Sequence, residues 1–247
     1  MRKFIIPAII LLFSTQLFSQ YSGYPTYPQT TLPKINMEQF TFGLKLSPNI
    51  SWVGVQHNDA IADGATLKIG GGIVANYEIN KLLSVVTGVN YNLTGGYLYD
   101  SLSLNNPLTK DNYRVNYSAV EVPLGLRLST PTVDKTSYYL QGGVNTSFIL
   151  TASEKHKSSL PNTKLPALDI IPLTSTSAVG FFAGVGIERQ ILRKFSIFAE
   201  MNYKQSLSSF SNGIEYVNPT NPLYDHGYNQ PISIFPAAME FSVGVMF

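Results

Sequence analysis

The chain has no cysteine, little charge and few long apolar runs. Without cysteine it cannot form disulfides, thiolate metal sites, a thiol nucleophile or a lipoprotein anchor. Charged residues make up 13% of the 247 residues, against about 25% in an average soluble domain. After the first 20 residues no stretch is apolar for long enough to span a bilayer as a helix. The net charge of +2 and the lack of any basic run argue against a nucleic-acid partner.

The amino terminus has the pattern of an export signal. Arg2 and Lys3 precede the short apolar stretch FIIPAIILLF at positions 4–13, and a more polar segment follows. We predict a signal peptide at 1–19, cleaved after Ser19. The next residues, 20–38, are rich in Pro, Tyr and Thr and show no sustained period, so we predict an extended periplasmic segment.

From residue 39 onward, apolar residues recur at every second position. Between Val120 and Leu128, for example, Val and Leu alternate with residues that include Glu121 and Arg127. A period of two predicts β-strands with one apolar face. Eight such strands are predicted, at about 39–55, 67–79, 82–97, 114–128, 137–150, 178–191, 195–206 and 232–247. Pro48 is expected to mark a bulge or the end of regular pairing in the first strand.

The connections between these strands alternate in length. Those after the second, fourth and sixth strands are short, at 80–81, 129–136 and 192–194. Those after the odd-numbered strands are longer and polar, at about 56–66, 99–113, 151–177 and 208–231. Short periplasmic turns alternating with long extracellular loops are typical of bacterial outer-membrane barrels.

The sequence therefore predicts an all-β fold, an eight-stranded antiparallel up-and-down transmembrane β-barrel at 39–247, in the outer membrane. Eight strands leave room for side chains and not for an open channel. Ten strands remain an alternative if the connection at 151–177 or at 208–231 contains a further hairpin. Aromatic residues near strand ends are expected to form interfacial girdles. These residues are Trp52, Tyr97, Tyr99, Tyr113, Tyr117, Phe195 and Phe247.

Charged residues fall on the face opposite the apolar set and predict a polar network inside the barrel. The candidate site residues are Lys45, Lys68, Glu78, Glu121, Arg127, Glu188, Glu200, Lys204 and Glu240. Charges in a narrow lumen must pair or find water, because an unsatisfied buried charge is costly. We interpret the set as an interior salt-bridge network, with a gated proton or ion path along the same residues as the alternative.

No catalytic, cofactor or metal site is predicted. His57, His156 and His226 lie in predicted loops, and no pair has a metal-ligand spacing. The glycine pairs and triplets lack the residues of a phosphate loop and instead favour strand coiling and space for large inward neighbours. Lys155, Lys157 and Lys164 could contact anionic lipopolysaccharide, with a solvated loop as the alternative. Outer-membrane lipid and lipopolysaccharide are thus the expected partners, together with envelope or secretion-machinery proteins.

From about Phe40 to Phe247 the chain resembles the PorT-like group of outer-membrane β-barrels, which is related in shape to the OmpA-type transmembrane domain. The resemblance rests on FGLKLS at 42–47, VEVPLGLR at 120–127, Gly142-Gly143, AGVGIE at 183–188 and GVMF at 244–247. It implies an eight-stranded outer-membrane barrel. The founding member is associated with type IX secretion and gliding, and the group supplies no catalytic residues to transfer.

These observations favour a structural or interaction role, in which the barrel presents extracellular loops or docks envelope partners. The first alternative is a PorT-like component of type IX secretion. The second alternative is an outer-membrane lipid-modifying enzyme, which would use His156 or His226; we expect no enzyme.

Overall fold

A computed structural model describes residues 39–56, 60–100, 112–157, 168–170, 174–211 and 233–247. The predicted signal peptide at 1–19 and the predicted periplasmic segment at 20–38 lie outside the described residues. The described residues contain no helix that is long and apolar enough to cross a bilayer.

Eight long strands and one short one make up the described fold. They are β1 (Phe40–Gln56), β2 (Ala60–Glu78), β3 (Leu83–Asp100), β4 (Asn112–Ser129), β5 (Thr136–Lys157), β6 (Leu168–Asp169), β7 (Ser177–Leu192), β8 (Phe195–Ser206) and β9 (Ser233–Met246). Each long strand pairs antiparallel with the next long strand along the chain, and β1 pairs with β9, which closes the ring. The two-residue β6 pairs only with the end of β5. The prediction of a closed eight-stranded barrel is confirmed, and the ten-stranded alternative is excluded because the ring closes without further strands.

Three short turns lie at one rim, which we call the turn end. At the first turn the side-chain Oδ1 of Asn80 accepts hydrogen bonds from the backbone N–H groups of Leu82 and Leu83, both at 2.9 Å. At the second, Asp134 and Lys135 have φ angles of 48° and 64°. Two consecutive positive φ values match the twist of a tight hairpin. Only Arg193 and Lys194 separate β7 from β8 at the third turn.

The opposite rim, which we call the loop end, corrects two sequence predictions. β1 extends to Gln56 and β2 begins at Ala60, so the predicted long loop at 56–66 is mostly strand. β5 likewise continues to Lys157, well past its predicted end at 150. Beyond the apolar band, outward-facing positions need not be apolar, so the period-two signal fades while backbone pairing continues.

Pro48 neither ends β1 nor shifts its register. β1 and β9 keep the same register on both sides of it, from Leu46↔Val243 to Asn49↔Glu240. The expected bulge or end of pairing at Pro48 is therefore wrong, although the β1–β9 pairs at Ser47 and Pro48 themselves are missing. An irregularity instead lies near the loop end of β5, where Ser118↔Thr151 is followed by Ala119↔Ile149 and leaves Leu150 as the extra residue.

The outer wall of the barrel is apolar, as the alternation predicts. Leu124 is 55% exposed and Val185 is 49% exposed, while the neighbouring inward positions of β4, such as Glu121 and Arg127, are buried. An exposed band of Leu, Ile, Val and Phe around a closed sheet is what a hydrocarbon environment requires. On β5 this band runs from Tyr138 to Leu150.

Candidate functional site: the barrel interior

Alternating charges form a chain of ion pairs across the centre of the barrel. Lys45 Nζ on β1 lies 3.3 Å from Glu200 Oε1 and 3.0 Å from Glu240 Oε1. Lys204 Nζ on β8 lies 2.5 Å from the other oxygen of Glu240 and 2.9 Å from Glu121 Oε2. All five residues occupy inward positions of their strands, since side chains two apart on a strand share one face.

Arg127 extends this network toward the turn end. Its guanidinium lies 3.6 Å from Glu200 Oε2 and 3.8 Å from Glu188 Oε2. Nε and Nη2 of Arg127 also donate to Gln141 Oε1, at 3.1 and 2.9 Å. Cζ lies 3.9 Å from the centre of the Tyr139 ring, a cation–π geometry. Arg127 is thus fixed on several sides by groups that suit a planar cation.

Neutral polar side chains satisfy the remaining hydrogen-bonding capacity of the carboxylates. Glu200 accepts from Tyr139 Oη, Gln141 Nε2 and Asn202 Nδ2, each at 3.0 Å. Asn92 Nδ2 donates to Glu121 Oε2 at 2.6 Å. Burying ions is expensive unless the pairs are short and further hydrogen bonds complete them. The network meets both conditions.

Two apolar clusters pack in the interior together with the charges. Toward the loop end, ten buried residues pack together: Val53, Leu98, Val115, Tyr117, Ile149, Ala152, Ile170, Ala178, Phe210 and Ile234. Ile170 and Phe210 come from the connections between strands, and their backbone N–H groups bond to Ala152 and Ile234. A second cluster contains Val74, Val86, Phe182, Phe198 and Met246. We call the ion pairs and the two clusters together the interior plug.

Two small cavities lie within the interior plug. A cavity of about 30 Å³ is lined by residues that include Lys45, Arg127 and Phe182, and a second of the same size lies beside Asn145 and Lys204. Each has room for one or two waters and for no larger solute.

Two glycines provide the space that the largest inward side chains need. A Cβ on Gly186 would lie 2.2 Å from Tyr139 Cζ, and a Cβ on Gly244 would lie 2.5 Å from Phe198 Cζ. Both distances are far below van der Waals contact. These two glycines therefore make room for large inward neighbours.

Seven of the nine predicted network residues meet in the ion-pair chain just described, and two do not. Lys68 Nζ donates instead to Asn116 Oδ1 at 2.6 Å, away from those ion pairs. Glu78 is exposed at the turn end, where β2 finishes. The expectation that both belong to one interior network is corrected, because an inward parity says nothing about height along the strand. The hydrogen bond from Lys68 to Asn116 forms beyond the apolar band, and Glu78 is exposed to water at the rim.

Sequence reasoning missed large apolar members of the interior plug. Tyr117, predicted as an interfacial aromatic, is 1% exposed, and its ring meets Phe210 edge-on at 5.4 Å inside the barrel. Phe182 and Phe198 also point inward although the predicted inward face is polar. The available signal was two adjacent apolar residues, Phe181-Phe182 and Ile197-Phe198, which interrupt the alternation.

Above the membrane band, burial changes the acidity of one further carboxyl group. Glu154 lies on β5 beyond Leu150 and next to the apolar cluster, and burial raises the pKa of Glu154 to about 7. Burial and the nearby Glu154 also raise the pKa of Tyr117. Below pH 7 both groups are mainly neutral, which suits their apolar surroundings.

The histidine hypotheses concern residues that the structure does not describe in full. His57 and His226 lie outside the described residues, and for His156 only the backbone, paired with Tyr113, is described. Among the described residues, no group of three or more His, Asp or Glu side chains is placed to hold a metal ion.

Comparison with known proteins identifies a family over most of the barrel. The model of the family described as "Outer membrane protein beta-barrel domain" matches residues 18–170, which is more than half of the chain. No curated protein matches the sequence.

Solved barrels from several bacteria are similar in fold. The Neisserial surface protein NspA is 12% identical with a TM-score of 0.41, over 83% of this chain and 97% of NspA. Ail of Yersinia pestis, solved with a heparin analogue, is 13% identical with a TM-score of 0.39, over 85% of this chain and 99% of Ail. The Escherichia coli protease OmpT is 8% identical with a TM-score of 0.41, over 84% and 96%.

Proposed function

The chain belongs to the family of outer-membrane protein β-barrel domains, and on that premise we propose that it is a closed, non-conducting barrel with a structural or interaction role. In this proposal the barrel anchors surface loops or docks other envelope proteins, and it is not an enzyme. The single observation that supports it is the interior plug, in which ion pairs and two apolar clusters occupy the lumen. A filled barrel must act through its rims and outer wall.

The ion-pair chain functions in this proposal as filling and not as a conduction path. Each of the lysines Lys45 and Lys204 contacts two carboxylates, and the described cavities beside them hold about 30 Å³ each. An ion entering the lumen would have to displace paired charges and then cross an apolar cluster, where its transfer from water is costly.

The test of closure is electrical. The full chain is refolded and inserted into planar bilayers, with a wide porin as the positive control for insertion. We expect no stepwise conductance from the wild-type barrel. Steady ion or proton currents would overturn the proposal and favour the alternative path along the charged residues.

The test of the interaction role is recovery of partners. An affinity tag placed in the 20–38 segment is used to isolate the protein from crosslinked outer membranes, followed by mass spectrometry. We expect reproducible recovery of envelope proteins. Subunits of the type IX secretion machine would specify the PorT-like role, which is the finer proposal that the resemblance suggests. Recovery of the barrel alone would contradict docking and leave loop presentation.

A further inference from the structure

Three cations gather on the wall of the barrel near the loop end. Arg114 on β4 and Lys155 on β5 are direct cross-strand partners. Lys68 on β2 joins them by donating to Asn116 Oδ1 at 2.6 Å, two residues from Arg114. We call Lys68, Arg114 and Lys155 the basic cluster.

The basic cluster lies outside the lumen. Val115 and Tyr117 belong to the buried apolar cluster and are 2% and 1% exposed. Because successive side chains of a strand point to opposite faces, Arg114 and Asn116 face outward. Lys155 faces the same way, since directly opposed residues of an antiparallel pair share a face.

β2 stands away from β3 at this level and so lets Lys68 reach the outer wall. The β2–β3 pairing is interrupted between Ala65 and Gly70. Across this gap β1 contacts β3 directly, because Ser51 Oγ donates to Gly95 O at 3.0 Å and Asn49 Nδ2 donates to Leu93 O at 3.2 Å. Lys68 therefore extends over β3 to Asn116 on β4.

The three cations have no carboxylate partner among the described residues. The ion pairs of that part of the chain involve Lys45, Arg127 and Lys204. Glu154, next to Lys155 in sequence, takes the opposite parity and lies near Tyr117. Like charges placed directly opposite each other on neighbouring strands destabilise a sheet. A bound polyanion would offset the repulsion between these cations.

Arg114 is held against an aromatic ring. Its Cζ lies 5.7 Å from the centre of the Tyr97 ring, which orients the guanidinium. Its Nε is buried and has no hydrogen-bond partner within the described part of the chain. The planar guanidinium suits the oxygens of a phosphate group.

The basic cluster begins at the apolar edge of the outer wall. Lys68 is flanked by Leu67 and Ile69, which are 76% and 51% exposed. On β4 the outward apolar series ends at Val120, and Arg114 lies six residues farther toward the loop end. At roughly 3.4 Å per residue this is about 20 Å along the strand, or about 15 Å along the normal for a tilted strand. The cluster thus starts at the apolar edge and extends into the polar layer.

From charge and position we propose that the basic cluster binds the phosphate of a lipid headgroup in the outer leaflet. Exposed Leu67 would contact the lipid's apolar part while the cations contact its phosphate. This inference rests on the outer-membrane location and adds a lipid site to the proposed interaction role. Lipid headgroups are a common target of basic residues just beyond an apolar span.

The experiment measures binding of phosphorylated lipid A, dephosphorylated lipid A and inorganic phosphate to the refolded full chain in non-ionic detergent. We expect phosphorylated lipid A to bind at least about tenfold tighter than the dephosphorylated form. The double variant Arg114→Gln and Lys155→Gln should lose about tenfold or more in affinity. Arg114→Lys should lose less, because it keeps the charge and loses the planar fork.

A matched control removes the same charges elsewhere. Arg189→Gln with Lys194→Gln, both exposed at the turn end, should change the affinity less than about twofold. Heat-modified gel mobility verifies that every variant is folded. Equal binding by the Arg114/Lys155 variant, or equal binding of dephosphorylated lipid A, would overturn the proposal. Inorganic phosphate binding as tightly as lipid A would instead assign a free-anion site and reject the lipid.

This experiment is independent of the conductance test. A barrel that conducts ions but binds phosphorylated lipid A through the basic cluster would refute closure alone. A closed barrel without phosphate preference would refute the lipid site alone.

Discussion

Replacing Glu240 with glutamine removes the carboxylate that joins the two lysines inside the barrel. Glu240 contacts Lys45 at 3.0 Å and Lys204 at 2.5 Å, and it is 1% exposed. The amide keeps the volume and one acceptor oxygen, so packing and the hydrogen bond from Ser242 Oγ can persist. What is lost is the negative charge between two buried ammonium groups.

The expected cost follows from the contacts that remain. Two charge-assisted hydrogen bonds contribute about 1.5–3 kcal/mol each, and breaking a buried pair by removing one partner costs about 3–5 kcal/mol. Lys45 keeps Glu200 and Lys204 keeps Glu121 as second partners. We therefore expect the free energy of unfolding to fall by about 3 kcal/mol, near the lower end of these ranges.

The assay is urea unfolding of the refolded barrel in lipid vesicles, followed by fluorescence of Trp52, the single tryptophan. Trp52 lies 6.2 Å from the Tyr203 ring and reports on the assembled wall. Glu78→Gln is the matched control, because Glu78 is exposed at the turn end and should change stability by less than about 0.5 kcal/mol. Equal stability of the Glu240 and Glu78 variants would refute the importance of the ion-pair chain.

Three further predictions concern other parts of the barrel. Leu124→Arg on the lipid-facing wall should lower the free energy of unfolding by about 2–4 kcal/mol, whereas Thr132→Arg in an exposed turn should not; equal effects in the same urea assay would contradict the lipid assignment. Gly186→Ala should lower the free energy of unfolding by about 1–3 kcal/mol, because the added Cβ overlaps the Tyr139 ring. Gly142→Ala is the control and should be tolerated, since its Cβ would first meet an atom at 3.4 Å. A tolerated Gly186→Ala would show that the Tyr139 ring can move. For Glu154 the folded pKa of about 7 exceeds its ordinary value of 4.5, so the unfolded chain loses this proton first and stability falls between pH 4.5 and 7. We expect the free energy of unfolding of the wild type to decline by roughly 1–3 kcal/mol over that window, and we expect no such decline in Glu154→Gln. Parallel pH profiles for the wild type and the variant would contradict this prediction.

The lipid-facing half of the fold is predictable from sequence because one physical requirement acts on every second residue. Hydrocarbon demands apolar side chains at positions such as Leu124, whatever lies on the neighbouring strand. The same reasoning places Lys45, Glu200 and Glu240 inside. It does not reveal which carboxylate meets which lysine, since that depends on strand register and height.

Prediction fails where the environment stops being uniform. Beyond the apolar band, 56–66 is predicted as a loop although 60–66 belongs to β2, because backbone pairing continues where the period-two signal fades. Tyr117 is predicted as an interfacial aromatic, but its side chain is packed in the lumen. Lys68 follows the inward parity, yet the gap between β2 and β3 lets it reach Asn116. Each of these outcomes depends on tertiary contacts that a local period does not encode.

The pairing of β1 with β9 has a consequence for the order in which the barrel can assemble. Phe42 and Phe247 exchange both backbone hydrogen bonds, at 3.1 and 2.8 Å, so the seam joins the two extremes of the barrel sequence. The other strand pairs are neighbours along the chain and can form as local hairpins. Closing the seam brings together segments about 200 residues apart, which is entropically slow compared with hairpin formation. Until β9 pairs with it, β1 has an open edge that can pair with another chain, so the arrival of β9 sets the time during which a nascent barrel is vulnerable to aggregation.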